Sequence, residues 1–137
     1  MPVSFQRKRS SIERPHSHFD HACCSHPYYG PYGVKDVDAL IDTGATYCVV
    51  SHEDVLHLGY NLTEATHVPV ATAGGLIRAP QLTVTAIEVL GFRRLRVPAL
   101  VKDLEGSGVK ALIGWSFLDR FRLIIDAKRK WLELSPE

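Results

Sequence analysis

The apolar run Ala39-Leu40-Ile41 ends in a carboxylate, Asp42, and Thr43-Gly44-Ala45-Thr46 follows at once. An acid placed straight after a buried run is costly to desolvate unless something holds it or uses it. Gly44, lacking a Cβ, lets the backbone turn sharply and approach a neighbour closely. The stretch therefore reads as a carboxylate presented on a tight loop at the end of a buried strand. The run recurs in altered form: Val37-Asp38-Ala39-Leu40-Ile41-Asp42 has a counterpart in Val109-Lys110-Ala111-Leu112-Ile113-Gly114, offset by 109 − 37 = 72 residues, with Val, Ala, Leu and Ile shared. A chain with this pattern has two similar halves, of which only the first carries the acid.

At 137 residues the chain has room for one domain with a modest core. Its formal net charge of +1 gives no global electrostatic case for nucleic acid or a membrane surface. The basic clusters Arg7-Lys8-Arg9, Arg93-Arg94-Arg96 and Lys128-Arg129-Lys130 read as solvated faces or tail. No apolar run approaches the ~20 residues that a membrane helix needs, and no apolar stretch follows the basic N-terminal residues as it would in a secretory signal. The three cysteines are an odd count, and Cys23 and Cys24 are adjacent. A disulfide framework does not fit them, so a reducing, cytoplasmic setting is expected.

Residues 1–33 read as a flexible leader, because Pro15, Pro27, Gly30, Pro31 and Gly33 break any regular period. The folded domain is expected over 34–137. Within it, Val34 to Ile41 and Thr46 to Ser51 are β-prone. Ser51-His52-Glu53-Asp54 resembles a capping box for a short helix that Gly59 stops. Val68 to Ala73 and Leu76 to Pro80 flank Gly74-Gly75 and read as a hairpin with a primed turn. Leu82 to Leu90, Leu95 to Val101 and Val109 to Ile113 are further strands. Trp115 to Phe121 carries Phe117, Leu118 and Phe121 at helical spacing. Leu123 to Asp126 and Trp131 to Leu134 close the series. About eight short strands and two short helices argue for a compact all-β barrel.

An aspartate on a glycine turn ordinarily caps the turn or pairs with an arginine. Paired carboxylates are the functional alternative. Two close carboxylates cannot both ionise cheaply, so they share a proton. The neutral member can then donate to a carbonyl while the charged member deprotonates water. The second half of the chain offers Gly114 instead of a second acid. Two identical chains about a two-fold axis would bring Asp42 to face its own copy, and a symmetric dimer is the commonest oligomer. Asp42-x-Gly44-x-Thr46 also matches the phosphate loop of actin-like and sugar-kinase ATPases. Those folds need two large α/β domains, for which this chain is too short, and no second Gly-rich phosphate loop is visible.

From Val34 to Leu134 the sequence resembles the retropepsin-like, retroviral-type aspartic proteases. The matching pieces come in family order: Ala39-Leu40-Ile41-Asp42-Thr43-Gly44-Ala45 for the catalytic loop, Thr72-Ala73-Gly74-Gly75 for the flap tip, and Leu112-Ile113-Gly114 before the C-terminal helix. Phe117-Leu118-Asp119-Arg120-Phe121 and Leu123-Ile124-Ile125-Asp126 resemble the helix and final strands of bacterial and transposon-derived members. The resemblance implies a small closed acid-protease barrel with a flap hairpin. It implies a homodimeric aspartic endopeptidase in which Asp42 is the catalytic acid/base, one from each subunit. Thr43 would link the two loops across the dimer, and Gly44 and Ala45 would support the loop. Ala73, Gly74 and Gly75 would close over an extended peptide or protein substrate. No cofactor or metal is implied. A catalytically weak dimerisation or peptide-binding module of the same fold is the rival reading. The leader, with Tyr28, Tyr29 and Tyr32, lacks the clear first strand that family members carry. Asp126, with no Thr-Gly after it, reads as structural, and Cys48 as a small core residue. His16, His18, Asp20, His21, Cys23, Cys24 and His26 are all metal-ligand types, but their spacing fits no standard zinc pattern.

Overall fold

The computed structural model describes residues 24–104 and 108–136. The elements in chain order are β1 (Cys24–Gly30), β2 (Gly33–Ile41), β3 (Cys48–Val50), α1 (His52–His57), β4 (Thr66–Thr72), β5 (Gly75–Val89), β6 (Phe92–Val101), β7 (Ala111–Ile113), α2 (Trp115–Leu118), β8 (Phe121–Asp126) and β9 (Trp131–Pro136). The strand order β1-β2-β7-β3-β6-β5, with a further pairing of β1 to β5, closes a six-stranded barrel. Closure leaves no open edge among those six, which removes the main aggregation hazard of a small sheet. β4 is joined to the barrel only through β5 and stands off it as a hairpin, while β8 and β9 form a separate two-stranded sheet. The expected all-β barrel with a flap hairpin and two short helices is the fold observed.

Alternation builds the barrel interior. Val37 and Ala39 of β2 point inward, as do Val84, Ala86, Val97, Ala99, Ala111 and Ile113 of the other strands, all fully or nearly buried. Phe117 and Leu118 of α2 and Leu132 and Leu134 of β9 cap the same core. Phe121 follows α2 and stacks on Phe117 with ring centroids 5.1 Å apart, so the helix and the final sheet share one aromatic contact. Half of the capping box expected at Ser51 is present: its hydroxyl accepts from the Asp54 amide at 3.2 Å, while the Asp54 carboxylate makes no return bond to the Ser51 amide. Asp54 is itself buried and pairs with Lys35 of β2 at 2.5 Å, which fixes α1 against the barrel.

Three expectations need correction. The folded part does not begin at Val34. β1 pairs antiparallel with β2 from Cys24↔Ala39 to Gly30↔Gly33, and Tyr28, placed in the leader on sequence, is completely buried in the core. Pro27 misled because proline ordinarily excludes a central strand. β1 meets β5 only at Tyr28 and Tyr29, so Pro27 lies where the strand has a neighbour on one side alone. Secondly, the β4–β5 hairpin does not turn on Gly74-Gly75 with primed geometry. Thr72 pairs with Gly75, and the positive φ of +117° falls on Gly75 rather than within the two-residue loop Ala73-Gly74. The tip with two successive positive φ values is instead Leu90-Gly91, between β5 and β6. Thirdly, the two strands expected at Leu76–Pro80 and Leu82–Leu90 are one continuous β5. Its first half pairs with β4 and its second half with β6 and β1.

Candidate functional site

The two copies of the near-repeat lie side by side. β2 and β7 pair in parallel with the register Ala39↔Ala111, Leu40↔Leu112 and Ile41↔Ile113, the same 72-residue offset seen in the sequence. The ladder runs on by one bond, from the Asp42 amide to the Ile113 carbonyl at 2.9 Å. Asp42 and Gly114 are thus neighbours at the ends of adjacent strands. Where a second acid of this chain would stand, there is a glycine.

Gly114 has a steric reason. A Cβ there would come within 2.5 Å of the carbonyl oxygens of both Ala45 and Tyr47, which are backbone atoms with nowhere to go. The close approach lets the start of α2 dock on the Asp42 loop. The Trp115 and Ser116 amides, free at the helix N-terminus, donate to the carbonyls of Ala45 and Thr46, each at 2.9 Å. Trp115 Nε1 donates to the Thr43 carbonyl at 2.7 Å. Ser116 Oγ accepts from the buried Cys48 amide at 2.8 Å and donates to the Pro98 carbonyl at 2.6 Å. The stretch Thr43 to Cys48 that follows Asp42 is therefore held by α2 through four hydrogen bonds, and Ser116 ties the same helix to β6 through a fifth. Sequence reasoning placed Trp115 and Ser116 only in a short amphipathic helix. Their contacts span about 70 residues of chain, and no local pattern signals them.

Within the loop, Asp42 Oδ1 accepts from the Gly44 amide at 2.8 Å. The Ala45 amide returns to the Asp42 carbonyl at 3.2 Å, closing the turn. A side chain at Gly44 would put its Cβ 3.1 Å from Asp42 Oδ1. Gly44 is not among the positive-φ residues, so its absent side chain matters for the close approach to the carboxylate rather than for a left-handed backbone. Asp42 is half-buried and Thr43 exposed. Cys48, the small core residue expected, is completely buried and free, and burial pushes its thiol pKa up.

Asp42, Gly44 and Ala45 open onto a cleft of about 470 Å³ between the barrel and the β4–β5 hairpin. The hairpin contributes Pro69, Val70, Ala71 and Thr72 of β4 to its wall, whereas Ala73, Gly74 and Gly75 at the tip lie beyond the lining. Sequence reasoning missed the floor. It is a second apolar cluster, Val49, Ala79 and Leu100 with Tyr47, Val70, Leu104 and Leu112 packed on it, separate from the main core. Such satellite clusters sit under loops and strands that stand off a core. Among the described residues that line the cleft, Asp42 is the sole acid and Lys102 the sole base.

Of the histidine and cysteine cluster, His16, His18, Asp20, His21 and Cys23 lie outside the described residues. His26 is buried on β1, where loss of hydration lowers its pKa to about 4 against a smaller opposing pull from Asp38. Asp126 has the structural role expected: its Oδ1 accepts from the Arg129 amide at 2.9 Å and closes the β8–β9 turn. No helix among the described residues is long and apolar enough to cross a membrane.

Comparison with known proteins agrees with this geometry. The family model described as aspartyl protease matches residues 32–117. Among solved structures, a retropepsin-like aspartic protease from Rickettsia conorii is similar with a TM-score of 0.55 and 27% identity, over 78% of this chain and 88% of that one. No curated protein matches the sequence. The barrel, the loop at Asp42 and a family match over most of the folded region agree that this chain belongs to the aspartyl proteases, in the retropepsin-like branch.

Proposed function

We propose that the chain is an aspartic endopeptidase that works as a homodimer, with Asp42 of each subunit forming one catalytic dyad. The observation that carries this reading is the in-register pairing of β2 with β7. It fixes Asp42 at the mouth of a cleft beside Gly114, so one chain supplies one acid to a chemistry that needs two. A two-fold axis through the exposed loop supplies the other.

In this reading the paired carboxylates hold one proton between them. The ionised member takes a proton from a water molecule as its oxygen attacks the peptide carbonyl carbon. The neutral member donates its proton to the carbonyl oxygen. Collapse of the resulting gem-diol breaks the C–N bond, and the amine leaves with a proton from the dyad. Gly44 N–H, already bonded to Asp42 Oδ1, holds the carboxylate in the orientation this exchange needs. Thr43, exposed beside it, would tie the two loops across the dimer. The substrate lies extended under the β4–β5 hairpin, whose tip at Ala73, Gly74 and Gly75 closes over it and excludes water. The substrate is a peptide or protein, and the chemistry calls on no cofactor. A reducing, cytoplasmic setting belongs to the same proposal and rests on the odd cysteine count.

Cleavage of a peptide library from about pH 3.5 to 7 tests the reading, because catalysis by two carboxylates that share one proton depends on pH. The Asp42→Asn variant keeps an acceptor for the Gly44 amide, so it is expected to fold and dimerise while losing turnover. No cleavage by a wild-type dimer verified by sedimentation would instead favour a peptide-binding module of the same fold.

A further inference from the structure

The described lining of the cleft is mostly apolar, with Thr46, Tyr47 and Thr72 as neutral polar side chains and Asp42 and Lys102 as the charged ones, and only Asp42 has a place in the proposed chemistry. Lys102 directly follows β6, and its amide is bonded to the Val50 carbonyl at 3.0 Å, so its backbone is fixed at the end of the β3–β6 pairing. Its side chain is half-buried and lines the same cleft as Val49, Leu100 and Leu104. Among the described residues its ammonium has no ion-pair or hydrogen-bond partner. The acid next in sequence, Asp103, is turned elsewhere. It accepts from the His52 amide at 3.0 Å and lies 3.3 Å from His52 Nδ1, which engages it at the start of α1. A half-buried lysine on the wall of the cleft, with Asp103 engaged by His52, offers a positive charge to a ligand lying there.

We propose that Lys102 is a specificity-determining residue that binds a carboxylate of the peptide lying in the cleft, so that this protein selects substrates bearing an aspartate or glutamate side chain close to the bond it cleaves. The proposal rests on the endopeptidase reading for its site and deepens it by naming the substrate class. The apolar floor of Val49, Ala79 and Leu100 takes neighbouring aliphatic or aromatic side chains. The expected substrate therefore combines an acidic residue with apolar ones, and a uniformly polar acidic peptide is a poor fit. In partly desolvated surroundings an ion pair discriminates strongly against the neutral isostere, because glutamine leaves the ammonium unpaired.

The test uses octapeptides with apolar residues throughout and a single glutamate, glutamine or lysine scanned through each position. A second arm compares free C-terminal acids with C-terminal amides, since a terminal carboxylate has the same chemistry as the side chain. Binding is measured at about pH 6, where a peptide glutamate is ionised, on the Asp42→Asn dimer, which holds peptide without turning it over. Cleavage by the wild-type protein is measured in parallel. The expected result is one position at which glutamate is preferred over glutamine on the order of tenfold. That preference is lost in Lys102→Met, kept in Lys102→Arg and reversed towards lysine in Lys102→Glu, with all three variants as stable to heat as the wild type. Equal binding of glutamate and glutamine peptides at every position, or a preference that persists in Lys102→Met, overturns the proposal, as does a preference confined to the C-terminal acid. Because binding is read on a variant that cannot cleave, absence of wild-type cleavage counts against the endopeptidase reading alone.

Discussion

Acid should loosen this protein through one buried ring. His26 is 2% exposed on β1, between strands of the barrel, and burial lowers its pKa from the ordinary 6.5 to about 4, while Asp38 pulls weakly the other way. The native state therefore holds His26 neutral over a range in which the unfolded chain takes up a proton. Stability from this residue is complete above about pH 6.5 and is lost as the pH falls towards 4. The gap between the two values corresponds to about 3 kcal/mol in full, of which about 2 kcal/mol is gone by pH 5. This is a large share of the 5–15 kcal/mol typical of a domain. The perturbation is His26→Leu, which keeps the side chain apolar and removes the titration. The assay is urea unfolding of both proteins at equal chain concentration from about pH 8 to 4, because the stability of the proposed dimer would depend on concentration. Carboxylates that titrate in the same range act on both proteins and cancel in the difference. The wild type is expected to lose about 3 kcal/mol more than the variant across that interval. Parallel stability curves would refute the argument, and would mean that the ring is already hydrated or protonated in the fold. The consequence for function is a conflict. The proposed dyad would work on the acid side of neutrality, where protonation of His26 is expected to weaken the hold of β1 on β2 and β5.

Two substitutions test how the Asp42 loop is held. Gly114→Ala places a methyl within 2.5 Å of two backbone carbonyls, so α2 must part from the loop; a loss of about 2–4 kcal/mol in thermal or denaturant unfolding is expected, with turnover falling alongside. Ser116→Ala leaves the buried Cys48 amide without its acceptor and should cost about 1–3 kcal/mol, read as a lower urea midpoint with an unchanged slope.

The sequence revealed Asp42, its loop and the near-repeat because each is local: an apolar run, an acid, a glycine. The repeat even carried the register, since identical apolar triplets at a constant offset pair residue for residue when their strands lie parallel. The N-cap at Ser51 was legible for the same reason. β1 was hidden because its breakers, Pro27 and Gly30, are tolerated where the strand has only one neighbour, and because a buried histidine and tyrosine carry its inward face instead of aliphatics. The single run of β5 was hidden by Pro80, which the β4–β5 hairpin accommodates opposite His67. The cleft floor and Lys102 were hidden more deeply. Val49, Ala79, Leu100 and Leu112 come from four strands that meet only in the folded barrel, and each looks in the sequence like any other core residue.

The central claim is that Asp42 is half of a site. It is tested most directly by refolding wild-type and Asp42→Asn chains together in varied proportion and measuring peptide cleavage at fixed total concentration. If each site needs a carboxylate from both subunits, activity falls with the square of the wild-type fraction. An equal mixture then keeps about a quarter of full activity, since mixed dimers contribute nothing. A linear fall, with about half the activity remaining in the equal mixture, would show that one Asp42 suffices and would contradict the shared dyad.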